Sequence, residues 1–191
     1  MGLLPTSLFR ELRPLTADQI AAARDFTGES ANYHRIVRGE VLTGIGQEEH
    51  RKLARHKPAI EDGAKTHELT RPLRLFAGYS SGASVLGNLW HNDPAKLKGL
   101  GFNYDGVLSS SRNPEKAREF MDKSTFANKV FLTIEGRPGL LCLAVSELGL
   151  GHGLEEEVIL ASQPFVITEG RRVEPDQDRR NDIVYLVISN L

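Results

Sequence analysis

With 191 residues, 40% of them hydrophobic and 26% charged, the chain is long enough for a real core and has an ordinary globular composition. A formal net charge of −1 supplies no basic field for nucleic acid, and the single cysteine excludes an internal disulfide. No apolar run approaches the ~18 residues of a membrane span, so neither a membrane nor a nucleic-acid partner is expected.

The first five residues lack the basic start and long apolar core of a secretory signal, and a cytoplasmic setting fits. Residues 1–15 carry Pro5, Pro14 and little periodicity, and read as an arm ahead of a single domain over 16–191. Thr16 is a good N-cap for a helix over 17–26, with Asp18 and Gln19 in its first turn and Thr27-Gly28 as its break. Ser30 caps a second helix over 31–42. A third, strongly charged helix runs over 47–57 and is ended by Pro58.

Beyond that point the pattern changes from helix to strand. A short strand covers 73–76, a helical turn or two covers 83–90, and 105–111 reads as a strand running into a serine turn. Asn113 caps a short helix over 114–121, with proline at the favoured first position. Strands then follow over 129–135, 139–144, 157–160, 164–168 and 182–189, with 174–181 as a charged loop. The strand over 182–189 is apolar on both faces and is expected in the middle of its sheet. Helices first and strands later predict an α+β fold, not an alternating parallel sheet.

The richest stretch chemically is Gly151-His152-Gly153-Leu154-Glu155-Glu156-Glu157-Val158-Ile159-Leu160. A glycine-rich loop meets three carboxylates and then a dry strand. The strand period of two would put Glu155 and Glu157 on one face, with their Cα atoms roughly 6.5–7 Å apart. The plain alternative is a solvated acidic patch at a strand end.

Other patterns weigh less. Gly78-Tyr79-Ser80-Ser81-Gly82 matches the G-x-S-x-G elbow of a serine hydrolase, with Asp122 and His152 as later triad partners. Such an enzyme needs several parallel strands before the elbow, where this chain is helical. Histidines 34, 50, 56, 67, 91 and 152 are scattered, and no metal site is expected. The basic runs Arg51, Lys52, Arg55, Lys57 and Arg171, Arg172, Arg179, Arg180 read as solvated faces. Cys142 sits in an apolar run and reads as an inert buried thiol.

Taken in order, the segments resemble the ADP-ribosyltransferase fold family, in particular its arginine-modifying (R-S-E type) branch of bacterial toxins and tailed phages. That family has an aromatic-Arg-Gly strand, a Ser-Thr-Ser strand followed by an Ala…Phe helix, and a Glu-x-Glu strand. Their counterparts are Phe76-Ala77-Gly78, then Ser109-Ser110-Ser111 with Ala117 and Phe120, then Glu155-Glu156-Glu157. Phe26-Thr27-Gly28 with Tyr33 and Val37 is similar to the family's Tyr-Thr-Gly helix junction, and Val145-Ser146 to its hydrophobic-Ser pair. The resemblance spans about residues 16–170.

It implies N-terminal helices followed by two packed mixed/antiparallel sheets, NAD as cofactor, and a target protein with an exposed arginine. It further implies that Glu157 binds the ribose 2′-hydroxyl and stabilises developing positive charge. Glu155 would position and deprotonate the guanidinium, and Ser109 would orient Glu157. Phe76, Ala77, Gly78, Ser109, Ser110, Ser111 and Phe120 would line the dinucleotide site, and the loop 147–154 would face the target. A phage source would place the protein in the host cytoplasm or the virion.

One departure stands out: the family's phosphate-binding arginine falls at Ala77. Three readings stay open, namely an engineered silencing substitution, another cation in its place, or lost catalysis. The alternatives to an active transferase are a structural or binding protein on the same fold, such as a virion component, and a serine hydrolase at Ser80.

Overall fold

Thr16 opens the first helix through a reciprocal pair of bonds. The Gln19 N–H donates to the Thr16 hydroxyl (3.3 Å) while the Thr16 N–H donates to the Gln19 side-chain carbonyl (2.9 Å). The computed structural model describes residues 7–27, 47–80, 85–104, 106–122, 128–150, 156–174 and 182–191. The expected helix over 31–42 lies outside them, as does nearly all of the expected loop over 174–181.

The elements are β1 (Phe9–Glu11), α1 (Ala17–Thr27), α2 (Gln47–Gly63), β2 (His67–Leu69), β3 (Leu73–Tyr79), β4 (Gly101–Phe102) and β5 (Leu108–Ser111). They continue with α3 (Pro114–Asp122), β6 (Asn128–Gly136), β7 (Leu141–Leu143), β8 (Glu157–Leu160), β9 (Phe165–Val173) and β10 (Asp182–Asn190). Short 3-10 turns cover Gly87–His91 and Pro94–Leu97, near the helical turns expected over 83–90. The α+β reading holds: the long helices come first and the strands dominate afterwards.

The chain divides into two compact units, and the boundary falls inside β5, between Ser109 and Ser110. In the first unit (Met1–Arg71, Asp105–Ser109, Pro138–Ser162), β1 pairs with β2, β2 with β7 and β7 with β8, all antiparallel. Phe9–Glu11, read from sequence as part of an arm, is therefore a strand. Its core gathers Ala22, Ala23 and Phe26 of α1, Ile60 of α2, Ala64, and Leu143 and Ile159 of the strands.

Pro58 does not end α2, which continues to Gly63. A proline inside a helix forfeits one backbone bond and costs about 3 kcal/mol. Ile60 and Ala64, both fully buried, hold the turn beyond it, and the Ala64 N–H still reaches the Ile60 carbonyl at 2.9 Å. Tertiary packing overrides the local signal.

In the second unit (Pro72–Tyr104, Ser110–Arg137, Gln163–Leu191), β10 lies between β6, which it parallels, and β9, which runs antiparallel to it. β3 pairs antiparallel with β6 and, through Phe76 and Ser111, with β5. β9 extends to Val173, well beyond the expected residue 168, because β10 pairs along its whole length with one bulge near Val187. That pairing carries the polar residues Glu169 to Arg172 into the sheet. β3 likewise runs on to Tyr79, past the expected residue 76, following β6.

Candidate active site

β8 exists because Val158, Ile159 and Leu160 are dry on both faces, and Glu157 sits at its head with only 7% exposure. A buried carboxylate needs partners. The Ser109 hydroxyl donates to Glu157 Oε1 at 2.8 Å. The backbone of residue 157 is held too: its N–H donates to Ser146 Oγ at 2.7 Å, and its carbonyl accepts from the Ser146 N–H at 3.4 Å. Glu157 is thus fixed at the side chain by one strand and at the backbone by Ser146, at the start of the turn that follows β7.

Ser109 can do this because Leu108–Ser111 is a strand and not the serine turn expected from sequence. The turn comes at the next step, where Ser111 Oγ accepts from the Asn113 N–H and Asn113 Oδ1 accepts from the Glu115 N–H, both at 2.9 Å. Asn113 caps α3 as expected.

The segment before Glu157 departs from the simple strand picture. Glu156 has φ +46°, in the left-handed region that a side chain enters at a cost. β8 begins only at Glu157, so the period-two argument does not carry back to Glu155. Glu155 itself, with Gly151, His152, Gly153 and Leu154, lies outside the described residues. The described start of the loop is tied down: the Leu148 N–H reaches Ala144 O (3.2 Å), the Leu150 N–H reaches Val145 O (3.0 Å), and Leu150 is buried.

The other residues expected at the site belong to the second unit. Ala77 is 2% exposed and registers with Leu132 on β6. Phe76 faces the other side of β3, its ring 6.2 Å from that of Phe131. Neighbouring strand residues point oppositely, so Phe76 and Ala77 do not share one pocket wall. Gly78 lies directly beneath α3, Ser110 and Ser111 are buried, and Phe120 is 40% exposed on α3. Arg74 is at the surface, paired with Glu135 at 3.2 Å.

Ser80 follows a strand whose neighbours β5 and β6 are both antiparallel to it, not the parallel setting of a hydrolase elbow. Gly82 of that motif is outside the described residues. Among the described residues no group of three or more His, Cys, Asp and Glu can hold a metal, and no helix is long and apolar enough to cross a membrane.

Near the site's unit core, β2 and β7 place His67 opposite Cys142. Burial pushes the Cys142 thiol up to about 12, with Glu147 and Glu68 adding to it, so the thiol is inert as expected. Burial holds the His67 imidazole below its ordinary value, against the opposite pull of Glu11 and Glu147. The Thr66 hydroxyl lies within hydrogen-bond reach of both Gly63 O (2.7 Å) and His67 Nδ1 (2.8 Å).

No family model and no curated protein matches the chain. Solved structures do. Plx2a, an ADP-ribosyltransferase toxin from Paenibacillus larvae, is 16% identical with a TM-score of 0.60, over 93% of this chain and 87% of that one. Vis, an ADP-ribosyltransferase from Vibrio splendidus, solved in complex with agmatine, is 17% identical with a TM-score of 0.65, over 95% and 77%. C3stau2 from S. aureus, solved with NAD, is 12% identical with a TM-score of 0.58, over 92% and 88%.

The chain has the ADP-ribosyltransferase fold. Within it, the buried acid at the head of β8 is hydrogen-bonded by Ser109 of β5. Sequence reasoning reached both through the order of the motifs. It did not give Ser146 the backbone contact described above, although a hydroxyl just after a dry strand was a usable signal.

Proposed function

We propose that this chain is an NAD-dependent mono-ADP-ribosyltransferase that modifies arginine on a target protein. The Ser109–Glu157 hydrogen bond at the buried head of β8 carries the reading, in a chain of this fold. Vis was solved with agmatine, a guanidinium compound, and C3stau2 with NAD, which supports the chemistry without transferring it.

NAD would supply the ADP-ribosyl group: the C1′–N bond breaks with its electron pair leaving on nicotinamide, and a guanidino nitrogen bonds C1′ and loses a proton. Glu157 fits such a substrate. Its carboxylate is oriented by Ser109, accepts a hydrogen bond from the ribose 2′-hydroxyl, and stabilises positive charge as it develops on the sugar. Being held in advance by Ser109 and Ser146, it needs little reorganisation. Glu155 takes the guanidinium proton as general base. Phe76, Gly78, Ser110, Ser111 and Phe120 remain candidates for cofactor contacts, and the loop 147–154 for the target.

Ala77 supports a second reading, a binding or virion component that has kept the fold without catalysis. A methyl group brings no charge to a pyrophosphate, and Arg74 is engaged with Glu135 at the surface. A lost charge-assisted bond costs about 1.5–3 kcal/mol, or roughly ten- to a hundredfold in affinity.

Nicotinamide release and ADP-ribosyl transfer to agmatine test both readings, measured for the unaltered chain, Glu157→Gln, Ala77→Arg and Ala77→Arg with Glu157→Gln. Ala77 is buried, so thermal unfolding of Ala77→Met provides a size control. Activity that Ala77→Arg raises and Glu157→Gln abolishes supports the transferase. Absence of NAD binding and cleavage in every folded form supports the second reading.

A further inference from the structure

On one face of the second unit's sheet an open groove of about 320 Å³ runs beside α3. Its floor is aromatic. Phe76, Phe131 and Tyr185 come from β3, β6 and β10, with centroid separations of 6.2 and 5.9 Å along the row. Arg118 of α3 lies over the Phe131 ring at 5.5 Å, and Arg171 of β9 over the Tyr185 ring at 4.3 Å. Thr133 and Glu169 complete the polar lining.

The charges in this groove are unspent. Among the described residues neither Arg118 nor Arg171 has a hydrogen-bond or ion-pair partner, and Glu169 has none either, though Arg171 is two residues along the same strand. Stacking uses the flat face of a guanidinium and leaves its N–H edge free, while limiting the rotamers it must give up on binding. The volume is at the lower end for small-molecule sites.

We infer that this groove binds a nucleoside phosphate, with Arg118 and Arg171 taking the phosphate and the aromatic floor with its guanidinium lids offering planar surfaces to the base. Glu169 selects the class. A carboxylate accepts from ribose hydroxyls, as acidic residues do in dinucleotide sites, but repels the side chains of an acidic peptide. Simple anions leave the aromatic floor and Glu169 without a role. The lining belongs wholly to the second unit, whereas Ser109 and Glu157 belong to the first. Of the residues proposed above to contact the cofactor the groove shares only Phe76, and the inference does not rest on the transferase activity.

Isothermal titration of the full chain with AMP, adenosine, inorganic phosphate and a tetraglutamate peptide tests it. AMP should bind more tightly than either adenosine or phosphate. Arg118→Ala and Arg171→Ala should each weaken AMP about tenfold, Tyr185→Leu should weaken AMP and adenosine alike, and Glu169→Gln should weaken AMP while improving the peptide. All four side chains line an open groove, and thermal unfolding verifies that each variant folds. AMP binding that is absent, unchanged in Arg118→Ala with Arg171→Ala, or lost instead in Ser109→Ala overturns the inference. So does a peptide that binds more tightly than AMP.

Discussion

Gly78 approaches α3 so closely that a Cβ built on it would stand 1.9 Å from the carbonyl oxygen of Ala117 and 2.9 Å from Cβ of Met121. The nearest obstacle is helix backbone, which cannot swing aside as a side-chain end can. Two buried helix residues, Ala117 and Met121, reach the sheet because this strand position has no side chain. The glycine is required for packing whether or not a ligand comes near it.

Gly78→Ala is therefore expected to lower stability by about 1–3 kcal/mol, toward the upper end of the cost of overpacking. A urea titration should show a reduced midpoint with an unchanged slope. A midpoint equal to that of the unaltered chain would mean α3 lifts away freely.

Ser109→Ala removes the donor that orients Glu157 and leaves that carboxylate buried with one partner fewer. A hydrogen bond to a charged group is worth about 1.5–3 kcal/mol. On the proposed activity, kcat/KM for NAD cleavage should fall roughly ten- to a hundredfold, and Ser109→Thr should recover part of it. Steady-state nicotinamide release measures this, and equal rates for Ser109→Ala and Ser109→Thr would argue against an orienting hydroxyl.

The buried His67 links stability to pH. Its folded-state value lies below the ordinary 6.5 because burial disfavours the charged ring. Above that ordinary value both folded and unfolded forms are neutral and nothing is lost. As pH falls through about 6.5 the unfolded chain takes up a proton that the folded chain refuses, so stability declines, by at most ~1.4 kcal/mol per pH unit. Below the folded value the decline from this group stops. Thermal unfolding from pH 7.5 to 5 should show a steeper loss for the unaltered chain than for His67→Gln, and parallel curves would contradict the linkage.

Pro58 is exposed and lies inside α2, where it contributes no N–H. Pro58→Ala should restore one helix bond and raise stability, by at most the ~3 kcal/mol that an interior proline costs. Calorimetry would read this as a higher Tm. A lower Tm would mean that the bend made by the proline is what seats Ile60 and Ala64.

The parts of the fold visible in the sequence are those with local chemical causes. Thr16 with Gln19, Asn113 with Pro114, and the doubly apolar 182–189 segment each carry their own signal, and each appears where that signal points. The strand His67–Leu69 carries none: His-Glu-Leu becomes a strand only because β1 and β7 lie on either side of it. The same is true of Glu169 to Arg172, which are strand only through β10. At the site, Ser109 and Glu157 could be paired from motif order. Grouping Phe76 with Ala77 set motif proximity above strand alternation, which sends the two side chains to opposite faces.

The position of β10 has a consequence for how the protein comes to be folded during synthesis. Its neighbours are β6, some fifty residues earlier in the chain, and β9 just before it. Until residues 182–190 have left the ribosome, β6 and β9 have nothing between them, and the aromatic row of the second unit lacks Tyr185. The helices and strands of the first unit are complete by Ser162. The nascent chain can thus settle its first core while the second waits for its middle strand, and the parallel pairing of β6 with β10, being distant in sequence, is the step whose loop closure is slowest to be rewarded.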